Sequence, residues 1–148
     1  MLELPDIRQS TDYDCGAAAT QSVFEYWGVS KPKKFYLNLL GTNGINGTDP
    51  RTLEAQIRQS GFKVLSGDMV SQDLYHQTKL ERPVIVLATL HGAGHYIVVS
   101  GVHYGYVYYQ DSISGPSRLR WDKFEEAWHD FDRFGQVYKQ FGLSVFIK

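Results

Sequence analysis

The chain has 148 residues, 43% of them hydrophobic, which is enough apolar surface for the core of one domain spanning residues 1–148. Its net charge of -1, from 15 basic and 16 acidic residues, excludes the strong field that attracts nucleic acid or an acidic membrane surface. A single cysteine excludes an intramolecular disulfide, and without a signal peptide or an apolar run of about 20 residues we expect a cytoplasmic protein with no membrane span.

The first half of the chain is predicted to be mainly helical. A helix over residues 15–27 would follow Asp14, a residue type that caps helix N-termini, and would end before Gly28. A helix over residues 49–60 would be capped by Thr48 or Asp49, with a proline in its first turn. Further patterns predict helices over 35–40 and 71–80, a loop over 41–47 and a short strand over 62–65.

The second half of the chain favours strands. Runs of β-branched, aliphatic and aromatic residues predict strands over 83–90, 95–102, 105–111, 118–121 and 143–147, with a helix over 121–128. Helices followed by a succession of strands are typical of an α+β fold. We therefore expect an N-terminal helix packed on a mainly antiparallel β-sheet.

Cys15 is the candidate nucleophile, because it lies where the first helix is predicted to begin. The free N–H groups and the dipole of a helix N-terminus stabilise an anion, and the thiolate is the nucleophilic form of cysteine. Asp12 and Asp14 oppose this effect where their charges lie near the thiol. The alternative interpretation of Cys15 is a small buried hydrophobic residue.

His95 and Asp111 are the candidates for the general base and the carboxylate that orients it. In a hairpin that turns over residues 102–105 they would lie opposite each other, with Cβ atoms about 4.5–5.5 Å apart. The carboxylate would then orient the imidazole, fix its tautomer and stabilise the imidazolium. The alternatives are a hydrogen-bonded core histidine and an aspartate that merely forms a turn.

Gln9 is the candidate for the oxyanion hole, since it lies a short distance upstream of Cys15. Its side-chain amide could donate a hydrogen bond to a developing oxyanion, alongside the backbone N–H of Cys15. The alternative is a glutamine that braces a loop.

No metal site and no cofactor are predicted. His91 and His95, with Cys15, offer nitrogen and sulfur ligands of the kind that zinc uses, but the chain has no CxxC or HExxH pattern. The other histidines, His91 included, have no predicted partner and are interpreted as structural or solvated.

Four separated segments carry a resemblance to a known family. Residues 9–18, Gln-Ser-Thr-Asp-Tyr-Asp-Cys-Gly-Ala-Ala, resemble the opening motif of the bacteriocin-processing cysteine peptidases, papain-like domains often found at the N-terminus of peptide-exporting ABC transporters. Residues 94–99, 110–115 and 121–128 are similar to that family's histidine strand, aspartate turn and closing helix. Ser112 departs from the pattern, in which proline more usually follows the aspartate.

The resemblance covers essentially the whole chain and implies a papain-like peptidase with Cys15, His95 and Asp111 as catalytic residues and Gln9 in the oxyanion hole. It also implies cleavage after a double-glycine leader peptide, and association with a peptide exporter or another protein. Two other functions remain open at this point. The acyl-enzyme could pass to an amine, which makes the chain an acyl transferase, or the domain could bind peptides without catalysis.

Overall fold

A computed structural model describes residues 1–11, 13–41, 48–131 and 137–147 as helices packed on an antiparallel sheet. The helices are α1 (Cys15–Tyr26), α2 (Lys33–Leu40), α3 (Pro50–Gln59), α4 (Ser71–Lys79) and α5 (Trp121–Ala127). The strands are β1 (Lys63–Asp68), β2 (Val84–Leu90), β3 (Ala93–His103), β4 (Tyr106–Asp111), β5 (Gly115–Arg120), β6 (His129–Phe131), β7 (Val137–Lys139) and β8 (Phe141–Phe146). None of the helices in these ranges is both long enough and apolar enough to cross a membrane.

Six strands form one sheet in the order β1-β8-β2-β3-β4-β5, and every neighbouring pair is antiparallel. Strands β6 and β7 form a separate two-stranded hairpin that the sequence patterns did not predict. The expected α+β class and the antiparallel sheet are therefore confirmed.

The sheet is buried on both faces, which explains why its central strands are continuous apolar runs. One core cluster joins the sheet to α1, α2 and α3, with Phe24, Tyr36 and Leu143 among its members. The other lies on the opposite face under α4 and α5, with Val99 and Trp128 among its members. Alternate residues of β3 pack into one cluster or the other, because successive side chains of a strand point to opposite faces of the sheet.

Helix α1 has the predicted extent but a different N-terminus. Gly28 adopts a left-handed φ of 89° just past the helix, as the sequence predicted. Asp14 occupies the N-cap position, but its side chain makes no capping hydrogen bond. Its carboxylate instead accepts hydrogen bonds from the backbone N–H groups of Ser10 and Thr11, at 3.0 and 3.1 Å. The prediction of a side-chain cap was wrong because the preceding segment folds back and offers the carboxylate nearer donors.

Several strand boundaries also differ from the predictions. β3 begins at Ala93, and its hairpin to β4 turns at Tyr104 and Gly105, whose φ angles are 52° and 81°. Two consecutive left-handed residues form the tight two-residue turn that suits twisted strands. β5 begins at Gly115 rather than 118, because an edge strand tolerates a proline such as Pro116. The predicted loop over 41–47 begins at Gly41, and its remainder lies outside the described residues.

Asp49, one of the two predicted candidates, caps α3 by accepting a hydrogen bond of 2.9 Å from the backbone N–H of Thr52. We expect Asp49→Ala to lower the free energy of unfolding by about 1 kcal/mol, the usual contribution of an N-cap side chain. Asp49→Asn keeps the acceptor oxygen and should leave stability nearly unchanged. Urea denaturation of the three proteins checks this, and equal losses in both variants would contradict it.

Candidate active site

Cys15 is the first residue of α1 and is partly buried where that helix packs against β3. Close approach of the two elements depends on Gly16, because a Cβ atom there would lie 3.2 Å from the Thr48 side chain and 3.4 Å from the Tyr96 ring. The Tyr96 hydroxyl donates a hydrogen bond of 2.9 Å to the Thr48 carbonyl oxygen, which fixes these two residues against Gly16. The N-terminus of α1 is thereby held against the strand that carries His95.

His95 lies between Cys15 and a buried carboxylate. The residue is 4% exposed, and its Nε2 lies 2.8 Å from Asp111 Oδ1. An ionised carboxylate only accepts hydrogen bonds, so Nε2 carries the proton and Nδ1 is left for the Cys15 side chain. Burial lowers the pKa of His95, but hydrogen bonds to Asp111 and to Cys15 outweigh it and raise that pKa to about 9.

Asp111 is completely buried, and both of its carboxylate oxygens accept hydrogen bonds. Oδ1 accepts from His95 and from the backbone N–H of Ile113 at 2.8 Å, and Oδ2 accepts from His91 Nε2 at 2.8 Å. Burial alone would raise the pKa of Asp111, but these hydrogen bonds hold it well below its ordinary value. The bond to Ile113 also closes the turn after β4, so Asp111 both forms a turn and binds an imidazole.

The pairing of β3 with β4 differs from the predicted register. Val98 pairs with Gln110, so one step further places Asp111 across from Ile97 instead of His95. His95 and Asp111 are therefore diagonal neighbours on one face of the sheet, still close enough for the imidazole to reach the carboxylate. The difference follows from the later turn at Tyr104 and Gly105 and from an irregularity between Val99 and Gly101.

His91 is a site residue that sequence reasoning missed. It lies in the two-residue turn between β2 and β3, and besides contacting Asp111 its ring meets the ring of His95 edge-on at 5.4 Å. Gly92 completes this tight turn, and Ala93 already begins β3, two residues before the predicted start at 95. A hairpin prediction over 84–99 would have placed His91 at the same end of the sheet as His95.

Gln9 is fixed by the turn that follows Asp111. Its backbone N–H donates to the Ser112 carbonyl oxygen at 3.0 Å, and its side-chain Oε1 accepts a hydrogen bond from the Ser112 hydroxyl. Its Nε2 donates to the Thr11 carbonyl oxygen at 2.6 Å. An amide nitrogen carries two hydrogens, so one remains for another acceptor. Ser112, the departure from the family pattern, thus ties the segment before Cys15 to the aspartate turn.

Comparison with known proteins identifies the family. The sequence profile described as the Peptidase C39 family matches residues 3–131. The chain belongs to the peptidase C39 family. It is a cysteine peptidase domain with a papain-like fold.

Two relatives and two solved structures are similar to this C39 domain. A probable functional amyloid protease FapD of Pseudomonas fluorescens is 25% identical over 83% of the chain, and one of Pseudomonas aeruginosa is 25% identical over 89%. The chain spans 56% and 61% of the lengths of these relatives. The peptidase domain of Streptococcus ComA, a bifunctional ABC transporter involved in quorum sensing, is 18% identical, with a TM-score of 0.78 and full coverage of both chains. A double glycine motif protease from an AMS/PCAT transporter, in complex with the leader peptide, is 19% identical with a TM-score of 0.72, covering 97% of this chain and 91% of that one.

The charge of Asp14 is balanced within the C39 domain. Besides its two backbone donors, its carboxylate lies 3.7 Å from the Lys33 ammonium group, and the residue is buried. Its negative charge is therefore compensated locally beside the first turn of α1. Asp12, the other acidic residue expected to oppose a thiolate, lies outside the described residues.

His91, His95 and Asp111 also form the one group of potential metal ligands found within the described ranges, with donor atoms all within 4.8 Å of one another. Each of these donors already takes part in a histidine–carboxylate hydrogen bond of 2.8 Å. A metal ion there would displace the proton on His95 Nε2 and break its bond to Asp111. The donors therefore fit a proton-bearing pair better than a resident ion, and Cys15, the sulfur atom that a zinc site could have used, is not in the group.

We expect NMR titration of the imidazole to find His95 protonated up to about pH 9. Asp111→Asn should move this titration to lower pH, because it removes the carboxylate that stabilises the imidazolium. A raised pKa also stabilises the folded chain fully below the ordinary value of 6.5, and that contribution is lost as the pH rises through 9. A His95 titration that does not change in Asp111→Asn would contradict the hydrogen-bonded pair.

Proposed function

We propose that this domain cleaves peptide bonds with Cys15 as nucleophile, His95 as general base and acid, and Asp111 as the carboxylate that orients His95. One observation supports this most directly: the buried His95 ring interacts with Cys15 and is held 2.8 Å from a fully buried Asp111. A thiol next to an imidazole that is oriented by a third group is the arrangement of an activated cysteine nucleophile.

The reaction proceeds in two steps. His95 Nδ1 takes the thiol proton, and the Cys15 sulfur attacks the substrate carbonyl carbon. The C–N bond breaks as His95 returns the proton to the leaving amine, and an acyl-enzyme remains. Water then gives a proton to His95 and attacks the thioester, which releases the carboxylic acid product and regenerates the thiol. Asp111 stays ionised throughout and stabilises the imidazolium in each step.

The developing oxyanion is proposed to be stabilised by the backbone N–H of Cys15 and the side-chain amide of Gln9. One hydrogen of Gln9 Nε2 is used by Thr11, so the second is the one offered to the oxyanion. The bond from Ser112 to Gln9 Oε1 fixes the orientation of the amide, because the oxygen end is held and the nitrogen end must point away from it.

The proposed substrate is a peptide or protein with a double-glycine leader, cleaved after the second glycine. The motif resemblance supports this, as does the likeness in fold to a double glycine motif protease determined with its leader peptide. The partner is then a protein that presents or exports the peptide, and the compartment of action is the cytoplasm. The FapD relatives, named as proteases of a functional amyloid, supply a second substrate class to test alongside it.

Two parallel assays test this function: alkylation of the Cys15 thiol and cleavage of synthetic peptides. Iodoacetamide labelling of Cys15, the chain's single cysteine, is followed by mass spectrometry from pH 5 to 9 in the wild type and in His95→Ala. We expect fast labelling near pH 6 that the substitution abolishes, because a thiolate–imidazolium pair reacts below the ordinary thiol pKa of about 8.5.

In parallel, peptides with Gly-Gly, Ala-Ala or Leu-Leu before the scissile bond are incubated with the wild type and with Cys15→Ala. Hydrolysis of the Gly-Gly peptide alone, absent in the variant, is the expected result. Transfer of the acyl group to an added amine would identify a transferase instead. Slow labelling at every pH below 8, with no cleavage, would reject the enzyme in favour of a peptide-binding domain.

We expect Gln9→Ala to lower kcat about 100- to 1000-fold with a small change in KM, as loss of one oxyanion donor does. Gln9→Glu has nearly the same shape but replaces the donor with an acceptor, so it should be no more active. Alkylation of Cys15 should stay fast in Gln9→Ala, since the oxyanion donor takes no part in forming the thiolate, whereas the added charge of Gln9→Glu can slow it. A loss of alkylation together with activity would instead assign Gln9 a structural role.

A further inference from the structure

Asp111 binds two imidazoles, and the Cys-His-Asp proposal uses only one of them. We propose that His91 is a positioning residue that holds the Asp111 carboxylate in the orientation that His95 requires. This inference rests on the proposed function, because its consequence is the reactivity of the Cys15–His95 pair.

The carboxylate of Asp111 needs to be held from both ends. An aspartate carboxylate rotates over a broad range about its last side-chain bond, so one hydrogen bond leaves its plane free to turn. Oδ1 is held by the backbone N–H of Ile113 at 2.8 Å, and among the described residues His91 is the donor that holds Oδ2, also at 2.8 Å. With both oxygens fixed, Oδ1 stays directed at His95 Nε2.

His91 is itself held by its turn. His91 and Gly92 form a two-residue hairpin turn in which both residues are left-handed, with φ angles of 54° and 79°. This turn places the His91 side chain at the end of the sheet. Histidine is among the residue types that accept this backbone conformation. The His91 ring packs edge-on against the His95 ring at an interplanar angle of 88°, and this contact further restricts the rotation of the His91 ring.

The protonation of the three groups follows from the hydrogen bonds. Asp111 is ionised and only accepts, so both histidines present a proton on Nε2. A proton on Nε2 of His95 leaves Nδ1 to hold the proton that it shares with the Cys15 sulfur. Loss of the His91 donor would leave the buried Oδ2 of Asp111 without its partner. The carboxylate could then rotate, and its hydrogen bond to the Nε2 proton of His95 would weaken. The His91 side chain is 38% exposed, so water can reach it without entering the Cys15–His95 contact.

Two substitutions separate the hydrogen bond from the turn. His91→Asn keeps a residue type favoured in this turn, but its amide is one bond too short to reach Asp111. His91→Gln places an amide N–H close to the position of the histidine Nε2 and keeps the donor, although glutamine suits the turn less well. Neither variant changes Arg8 or Tyr109, the other titratable groups whose charge interacts with Asp111.

The readouts are the rate of Cys15 alkylation from pH 5 to 9, kcat and KM on the Gly-Gly peptide, and the melting temperature. We expect His91→Asn to lower alkylation near pH 6 and kcat about tenfold, the usual effect of losing a hydrogen bond to a charged group, with KM within about threefold. His91→Gln should restore most of both rates. In an Asp111→Ala background, His91→Asn should have no further effect on alkylation, because both oxygens of that side chain are gone.

Equal losses in both variants, or unchanged rates in His91→Asn, would overturn the positioning role. A tenfold loss of alkylation that persists in the Asp111→Ala background would do the same, since His91 would then act by another route. Alkylation needs no peptide, so it still reports on His91 if the wild type cleaves nothing. Failure of the proposed function is therefore distinguishable from failure of this inference.

Discussion

The hydrogen bonds to the buried Asp111 carboxylate are the interaction on which the site depends. A fully buried charge is unfavourable unless each of its oxygens is paired, and here His95, His91 and the backbone of Ile113 supply the partners. The same bonds define the chemistry of His95, because they place its proton on Nε2 and leave Nδ1 facing Cys15. Folding and the proposed catalysis thus use one set of hydrogen bonds. Removing either histidine should therefore weaken both the stability of the fold and the proposed catalysis.

The scaffold brings this carboxylate to the thiol through three tight turns. The β2–β3 turn carries His91, the β3–β4 turn sets the diagonal register of His95 with Asp111, and the turn after β4 is closed by Asp111 itself. Helix α1 then presents Cys15 across the sheet, where Gly16 allows close contact with Tyr96. Cores on both faces of the sheet keep β3 rigid, so the distance between the thiol and the imidazole is determined by packing more than by any loop.

The segment before α1 is held in the same way by side-chain hydrogen bonds. Asp14 folds residues 10 and 11 back over the start of the helix, and Ser112 holds both the backbone and the amide of Gln9. Ser112 therefore connects the segment before Cys15 to the aspartate turn, although the two are far apart along the chain. This link joins the proposed oxyanion donor to the turn that holds His95 through Asp111.

The sequence by itself determined the α+β class, the helix that begins at Cys15, a cap at Thr48 or Asp49 and the family, because each depends on local periodicity or on short motifs. The contact of His95 with Asp111 was also predicted from the chain alone, since a hairpin brings the two together even when its register is wrong by two residues. Only the tertiary structure decided that the Asp14 side chain does not cap α1, that His91 shares Asp111 with His95, and that Ser112 holds Gln9. Those three facts depend on which donors come within about 3 Å after folding, and no spacing along the chain specifies that distance.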